Sequence, residues 1–152
     1  MLKKKRRNLN QIAVNRKASY DYNIGDKFEA GVVLKGTEVK SLRSNRADIS
    51  HAFINQEHGE VFLKNSNIPK YLASGLLNHD PNRTRKLLLK KREIKKIIGS
   101  LNRRGMTLVP LKFYFSSKGI AKLLLAIAQG KKKYDKRQLK KEKEWKRKKI
   151  IY

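Results

Sequence analysis

The sequence predicts a mainly β fold with helices: a small closed antiparallel barrel, flanked by helices and followed by a basic C-terminal tail that starts out disordered. Three observations carry this. Short β-favouring runs separated by turn residues recur through the middle of the chain. Only one long helical pattern stands among them, and one helix with a few extra turns cannot cover both faces of an open sheet of five or six strands. Closing the sheet on itself removes that problem, and a barrel of the oligonucleotide-binding type is an economical solution. Finally, residues 131–152 are dominated by Lys and Arg, a composition that does not build a core.

The elements follow in order. Residues 1–14 read as a basic lead, 15–130 as the domain and 131–152 as the tail. Asn15 to Tyr22 is a short helical or capped segment, and Phe28–Leu34 a strand ended by Lys35-Gly36. Thr37–Arg43 has Val39, Leu42 and Arg46 at helical spacing, with Thr37 placed to cap it. Ile49–Asn55 and Glu60–Lys64 form a hairpin around Gln56–Gly59, where glycine supplies positive φ. Residues 65–83 are poor in pattern. From Arg83 to Arg104, Leu87, Leu88, Ile94, Ile97, Ile98 and Leu101 recur at helical intervals, with Gly105 in the C-cap place. Thr107, Val109, Leu111, Phe113 and Phe115 then alternate as a strand, in which Pro110 marks an edge or a bulge. After the turn Ser116–Gly119, Ala121, Leu123, Leu125 and Ile127 define one side of a last strand.

The 152 residues hold 39 Lys and Arg against 12 Asp and Glu, a net charge of +27, and no cysteine. Repulsion on this scale destabilises a compact chain unless a polyanion neutralises it, and nucleic acid is the first candidate. Residues 1–17 carry +7, residues 18–130 carry +11 and residues 131–152 carry +9, so the ends are far more basic per residue than the middle. In the tail the charges are interleaved with Tyr134, Leu139, Trp145, Ile150, Ile151 and Tyr152, which mere solubility does not require. No apolar stretch approaches the roughly 20 residues of a membrane span. Asn8, Asn10, Gln11 and Asn15 break what would be the apolar part of a secretory signal, and the chain reads as cytoplasmic.

The chemistry of an enzyme is missing. His51, His58 and His79 have no metal-ligand spacing, and no carboxylates are spaced as an acid–base pair. Gly130-Lys131 lacks the remaining residues of a phosphate-binding loop. Neither a metal nor a cofactor is implied.

Five motifs occur in order: Asn15-Arg-Lys-Ala18, Phe28-Glu-Ala-Gly31, Gly36-Thr-Glu-Val-Lys-Ser-Leu-Arg43, Asp80-Pro81 with Arg83-Thr-Arg-Lys-Leu-Leu-Leu89, and Gly130-Lys-Lys-Lys-Tyr-Asp-Lys-Arg137. Over about residues 12 to 137 the chain closely resembles the small protein B (SmpB) family, the partner proteins of transfer-messenger RNA. The resemblance implies an oligonucleotide-binding-type barrel that grips the tRNA-like domain of that RNA and delivers it to stalled ribosomes. It implies a tail that turns helical in the vacant mRNA channel near the decoding centre and small-subunit rRNA, and no bond chemistry. Elongation factor Tu is then a partner only through the charged RNA, and the protein is a monomer in the RNA complex, without a membrane.

The family's RNA-binding positions fall here on Asn15, Tyr22, Glu29, Leu88 and Lys122. Asn15 offers donor and acceptor together. Glu29, an acid in a protein of +27, suits a base edge, a 2′-OH or the orientation of a nearby cation. Leu88 falls in the helical stripe, where core packing is the equal alternative, and Tyr22 is equally open to a core role. Arg16 and Lys17 belong to the first motif. Tyr20 stands where the family often has histidine and keeps a stacking face. Glu38 and Lys40 are expected to form an ion pair, with Lys40 and Arg43 reaching phosphates. Gly130, Lys131, Lys132, Lys133, Tyr134, Asp135, Lys136 and Arg137 start the ribosome-directed tail, and Trp145 is its stacking anchor. Glu142–Lys146 and Glu144–Lys148 are helix-favouring pairs worth about 0.2–0.5 kcal/mol each. The rival reading is a structural ribosomal protein with a basic rRNA-binding extension, which composition alone favours.

Overall fold

The computed structural model describes residues 10–44 and 47–150; the Lys3–Arg7 run, Arg46 and Ile151–Tyr152 lie outside them. Seven strands form one antiparallel sheet: β1 (Gln11–Val14), β2 (Tyr22–Val32), β3 (Phe53–Glu57), β4 (Glu60–Lys64), β5 (Arg85–Leu88), β6 (Met106–Phe115) and β7 (Ala121–Gly130), in the order β1-β6-β7-β2-β5-β4-β3. Four helices accompany them: α1 (Ala18–Asp21), α2 (Gly36–Arg43), α3 (Lys91–Leu101) and α4 (Lys133–Lys149). No helix among the described residues is long and apolar enough to cross a membrane.

The expected closed barrel is corrected to a curled open sheet. The long strands β2, β6 and β7 bend at register shifts between Ile24 and Lys27 and between Pro110 and Lys112, so that β3 packs against β6 without a hydrogen-bonded ladder between them. Pro110 thus marks a bulge, as its missing N–H requires. Inside the curl lie Phe28, Leu63, Ile97, Phe113, Leu123 and Leu125, all 8% exposed or less; burying each such side chain contributes about 1.5–3 kcal/mol. The last strand's predicted face is borne out, since Ala121, Leu123, Leu125 and Ile127 are all buried. So is the β3–β4 hairpin, whose two-residue turn His58-Gly59 has φ of 50° and 77°, the left-handed pair that matches strand twist.

Five readings of the N-terminal half change. Gln11–Val14, assigned to the lead, pairs with β6 as an edge strand. The segment Asn15 to Tyr22 holds helix only over Ala18–Asp21, and the strand read from Phe28 begins already at Tyr22. Thr37 does not cap α2; the Glu38 carboxylate accepts the Lys35 N–H at 2.8 Å, while the Thr37 hydroxyl bonds the buried His79 ring at 2.9 Å. Nor does Glu38 pair with Lys40. It is fully buried, with Oε1 3.0 Å from Arg85 Nε and Oε2 2.7 Å from Arg83 Nη2.

The long helix of residues 83–104 divides. Arg85 and Leu87 point inward with period two as β5, and α3 starts only at Lys91, where Glu93 accepts the Lys90 N–H. A helix through Arg85 would leave β2 and β4 without the strand between them. Arg85 also explains residues 65–83: its remaining N–H groups reach the Ser66 carbonyl and hydroxyl, the Arg83 carbonyl and the Pro81 carbonyl at 2.8–3.1 Å. Gly105, φ 80°, sits in the turn into β6 rather than at the helix end, which is Asn102. The tail, expected to start out disordered and to turn helical on the ribosome, forms the 17-residue helix α4 with no buried side chain.

Removing one member of a buried ion cluster strands the other, so Glu38→Ala is expected to lower unfolding stability by about 3–5 kcal/mol, measured by urea denaturation. Burial alone would raise the Glu38 carboxyl, but the bonds from Arg83 and the Lys35 N–H and the charge of Arg85 bring it below its ordinary 4.5. The stability it supplies is therefore complete above the unfolded value and disappears as pH falls through the lower folded one. In acid titrations that component of unfolding is expected to be absent from Glu38→Gln.

Candidate nucleic-acid interface

Two groups of the expected RNA-binding residues come together, at opposite ends of β2. At one end, register sets Gly31 opposite both Leu88 on β5 and Lys122 on β7, and Tyr114 on β6 opposite Lys122. Phe28 and Ala30 point inward, so Glu29 faces out beside them. Leu88 is 55% exposed, because it belongs to β5 and not to a helix stripe; the packing alternative for it falls away. Glycine at 31 leaves the floor open, since a Cβ there would meet the Leu88 Cβ at 3.4 Å. The result is a shallow cleft of about 440 Å³, with Leu89, Lys90 and Glu93 on its far side.

Lys122 Nζ lies 2.5 Å from Glu29 Oε1, and the Tyr114 hydroxyl donates to Oε2. These bonds, Lys122's first, hold the Glu29 carboxyl below its ordinary value. Burial, aided by the bond to Glu29, pushes the Tyr114 phenol up to about 12. At neutral pH the trio is an anion gripped by a cation and a neutral hydroxyl. Exposed ion pairs contribute little to stability. Their consequence here is orientation of the Glu29 carboxylate in a basic surface.

At the other end of β2, roughly 20 Å along the strand, Asn15 donates from Nδ2 to the Pro110 carbonyl at 3.0 Å and from its N–H to Leu111 at 2.9 Å. Its side-chain Oδ1 is the one buried side-chain polar atom among the described residues without a partner. A cleft of about 370 Å³ beside it is lined by Lys17, Tyr22, His51 and Phe53. Half-buried Tyr22 packs on Ala18, Val109 and Ala128, so it serves the core and edges the cleft. Arg16 is exposed, and Tyr20 is half-buried with Lys143 of α4 5.7 Å over its ring.

The remaining candidates lie elsewhere. Lys40 and Arg43 are exposed on α2, Lys40 over the Tyr71 ring at 5.6 Å, and Glu38 is enclosed by protein. Gly130 ends β7 opposite Tyr22. Lys131 then donates its N–H to the Asp21 carbonyl and its Nζ to the Ser19 carbonyl, and Lys136 pairs with the Asp21 carboxylate at 3.2 Å. Lys132 precedes α4 and Lys133 opens it; Asp135 sits in the first turn, where its charge suits the helix dipole. Tyr134 and Trp145 are 68% and 62% exposed, with Lys149 4.2 Å over the indole; Arg137 is exposed too. Neither Glu142–Lys146 nor Glu144–Lys148 closes as an ion pair.

Sequence reasoning missed Asp21, the anchor of the tail, and Tyr114. The alternation of β6 already put Tyr114 on the face opposite Phe113, but only register brings it to Glu29.

Comparison with known proteins adds the following. The family model described as "SmpB protein" matches residues 12–150. The SsrA-binding protein of Afipia carboxidovorans is 52% identical over 149 residues, 98% of this chain and 95% of that one. That of Rhizobium etli is 54% identical over 138 residues, 91% and 87% of the two chains. A chain of the solved structure described as "tmRNA-SmpB: a journey to the center of the bacterial ribosome" shares 48% identity at a TM-score of 0.66, covering 79% of this chain and 84% of that one. With such identity along nearly its whole length and a family match from residue 12 to residue 150, the protein belongs to the SmpB family.

Proposed function

We propose that this protein binds the tRNA-like domain of transfer-messenger RNA and brings it to stalled ribosomes for trans-translation. Its membership of a family of SsrA-binding proteins carries this reading. The geometry supports it through Glu29, a fixed carboxylate amid cations, which selects donors of bases or riboses where a generic polyanion binder would repel them.

In this reading the Glu29–Leu88–Lys122 cleft and the Asn15–Tyr22 edge hold one RNA, with Arg16, Lys17, Lys40 and Arg43 on phosphates and Tyr20 available for stacking. Glu38 acts only by shaping the domain. The protein makes and breaks no covalent bonds, works as a monomer in the RNA complex, stays in the cytoplasm, and meets elongation factor Tu through the charged RNA. Helix α4 probes the empty mRNA channel, with Tyr134 and Trp145 as aromatic anchors. With no buried side chain, α4 lacks the packing that stabilises most helices, so in this reading it exchanges with unfolded chain until ribosomal RNA fixes it.

Glu29→Ala or Asn15→Ala is expected to weaken binding of a tRNA-like-domain RNA about 10- to 100-fold, the loss of charge-assisted or buried hydrogen bonds. Filter binding with circular dichroism on the same samples checks both affinity and fold. Truncation after Gly130 is expected to spare RNA binding and abolish tagging on stalled ribosomes in a reconstituted translation system; persistent tagging refutes the role given to the tail. If the tail neutralises about six phosphates of single-stranded RNA, the logarithmic salt slope of ribosome binding falls by about 4 on its removal. A structural ribosomal protein would instead co-purify with every small subunit.

A further inference from the structure

We propose that Tyr114 is a positioning residue for RNA capture: its hydroxyl, together with Lys122, locks Glu29 into an outward-facing, ionised acceptor. This rests on the RNA-binding reading of the cleft.

Glu29 is half-exposed, with a side-chain accessibility of 47%, and left alone it would sample several rotamers on a strand surface. Two donors from two different strands prevent that. Lys122 on β7 takes Oε1 and Tyr114 on β6 takes Oε2, and the ladder sets Tyr114 directly opposite Lys122, so both donors rise from one fixed backbone register. An ionised carboxylate has about four acceptor sites, so each oxygen keeps capacity for one nucleotide donor. Lys112, 5.5 Å over the Tyr114 ring, adds a cation that keeps the phenol in place. The phenol is the suitable partner here. It orients the carboxylate without adding a net charge, and with its titration pushed to about 12 it remains a donor throughout the working range. A second lysine would attract phosphate non-specifically instead.

The charged groups around Glu29 are Lys122 and Tyr114 across the sheet, Lys112 behind Tyr114, and Lys90 and Glu93 on the cleft's far side. Glu93 is the only other carboxylate of the cleft, so the test uses a Glu93→Gln background. Tyr114→Phe removes one oxygen and keeps the ring.

In that background, affinity for a tRNA-like-domain RNA is measured from neutral to acid pH for the parent, Tyr114→Phe and Glu29→Gln, with the carboxyl-carbon NMR titration of Glu29 in the free proteins. Tyr114→Phe is expected to bind about 3- to 10-fold more weakly at neutral pH, the loss of one hydrogen bond. The acid limb of its affinity and the Glu29 titration move together to higher pH, because one of the two bonds that favour the anion is gone. A structural role for the ring alone moves neither. Unchanged affinity, or weaker binding with an unmoved acid limb, overturns the assignment of Tyr114. If Glu29→Gln also binds at full strength, the RNA-binding reading of the cleft fails; if only Tyr114→Phe does, the positioning role alone fails.

Discussion

The rest of the molecule depends on where β5 lies, and β5 is held by the buried contact between Glu38 and Arg85. Both side chains are fully enclosed, with the Glu38 and Arg85 charges 2.8 Å apart. Ions this deep are costly unless every donor and acceptor is used. Arg85 meets that requirement by bonding Glu38, Ser66, Arg83 and Pro81, so one side chain draws α2, the irregular segment 65–83 and β5 to a single point. His79 adds a second tie, between Thr37 and the Ile68 carbonyl. Once β5 is placed, Leu88 stands opposite Gly31, and the cleft beside Glu29 exists. Glu38 therefore governs the shape of a cleft that it does not touch.

The net charge of +27 gains a different meaning at this resolution. Lysines and arginines on the surface attract any polyanion, and their contribution is screened by salt. Discrimination needs groups with direction. Two directed polar groups of the candidate interface are uncharged or acidic: Asn15, with its amide donating inward and its oxygen left over, and Glu29, gripped from both sides. In the proposed reading, non-specific attraction and selective contact thus reside in different residues.

Much of this was legible in the sequence where local rules operate alone. The His58-Gly59 turn, the bulge at Pro110 and the alternation from Ala121 to Ile127 follow from φ preferences, a missing N–H and period two. The five ordered motifs, read as a resemblance, brought Glu29 and Lys122 into one candidate set. What failed were choices that only tertiary pairing decides. Leu87 and Leu88 fit a helix stripe by spacing, yet β2 and β4 need a strand between them, and the sheet outweighs the helix propensity of Lys-Leu-Leu-Leu. Glu38 looks like an exposed helix residue next to Lys40, because its true partners are 45 and 47 residues away. Tyr114 was unreadable for the same reason: its partner, Glu29, is 85 residues distant.

The junction at Asp21 ties the two halves of the proposed activity together. Its carbonyl accepts the Lys131 N–H as β7 ends, its carboxylate meets Lys136 on the first turn of α4, and it stands between Tyr20 and Tyr22 beside the Asn15 cleft. A single exposed ion pair of this kind is worth about 0–1 kcal/mol, too little to hold a 17-residue helix rigidly. The backbone bond and the adjoining Tyr22–Gly130 ladder pair, however, fix where the tail leaves the sheet. The departure point is thus set by the sheet, while α4 beyond it meets the domain only at its surface, through the Lys136–Asp21 pair and Lys143 over the Tyr20 ring. RNA held along β2 would fix the origin of the tail without fixing its direction, which suits a segment whose final path is set by the channel it enters.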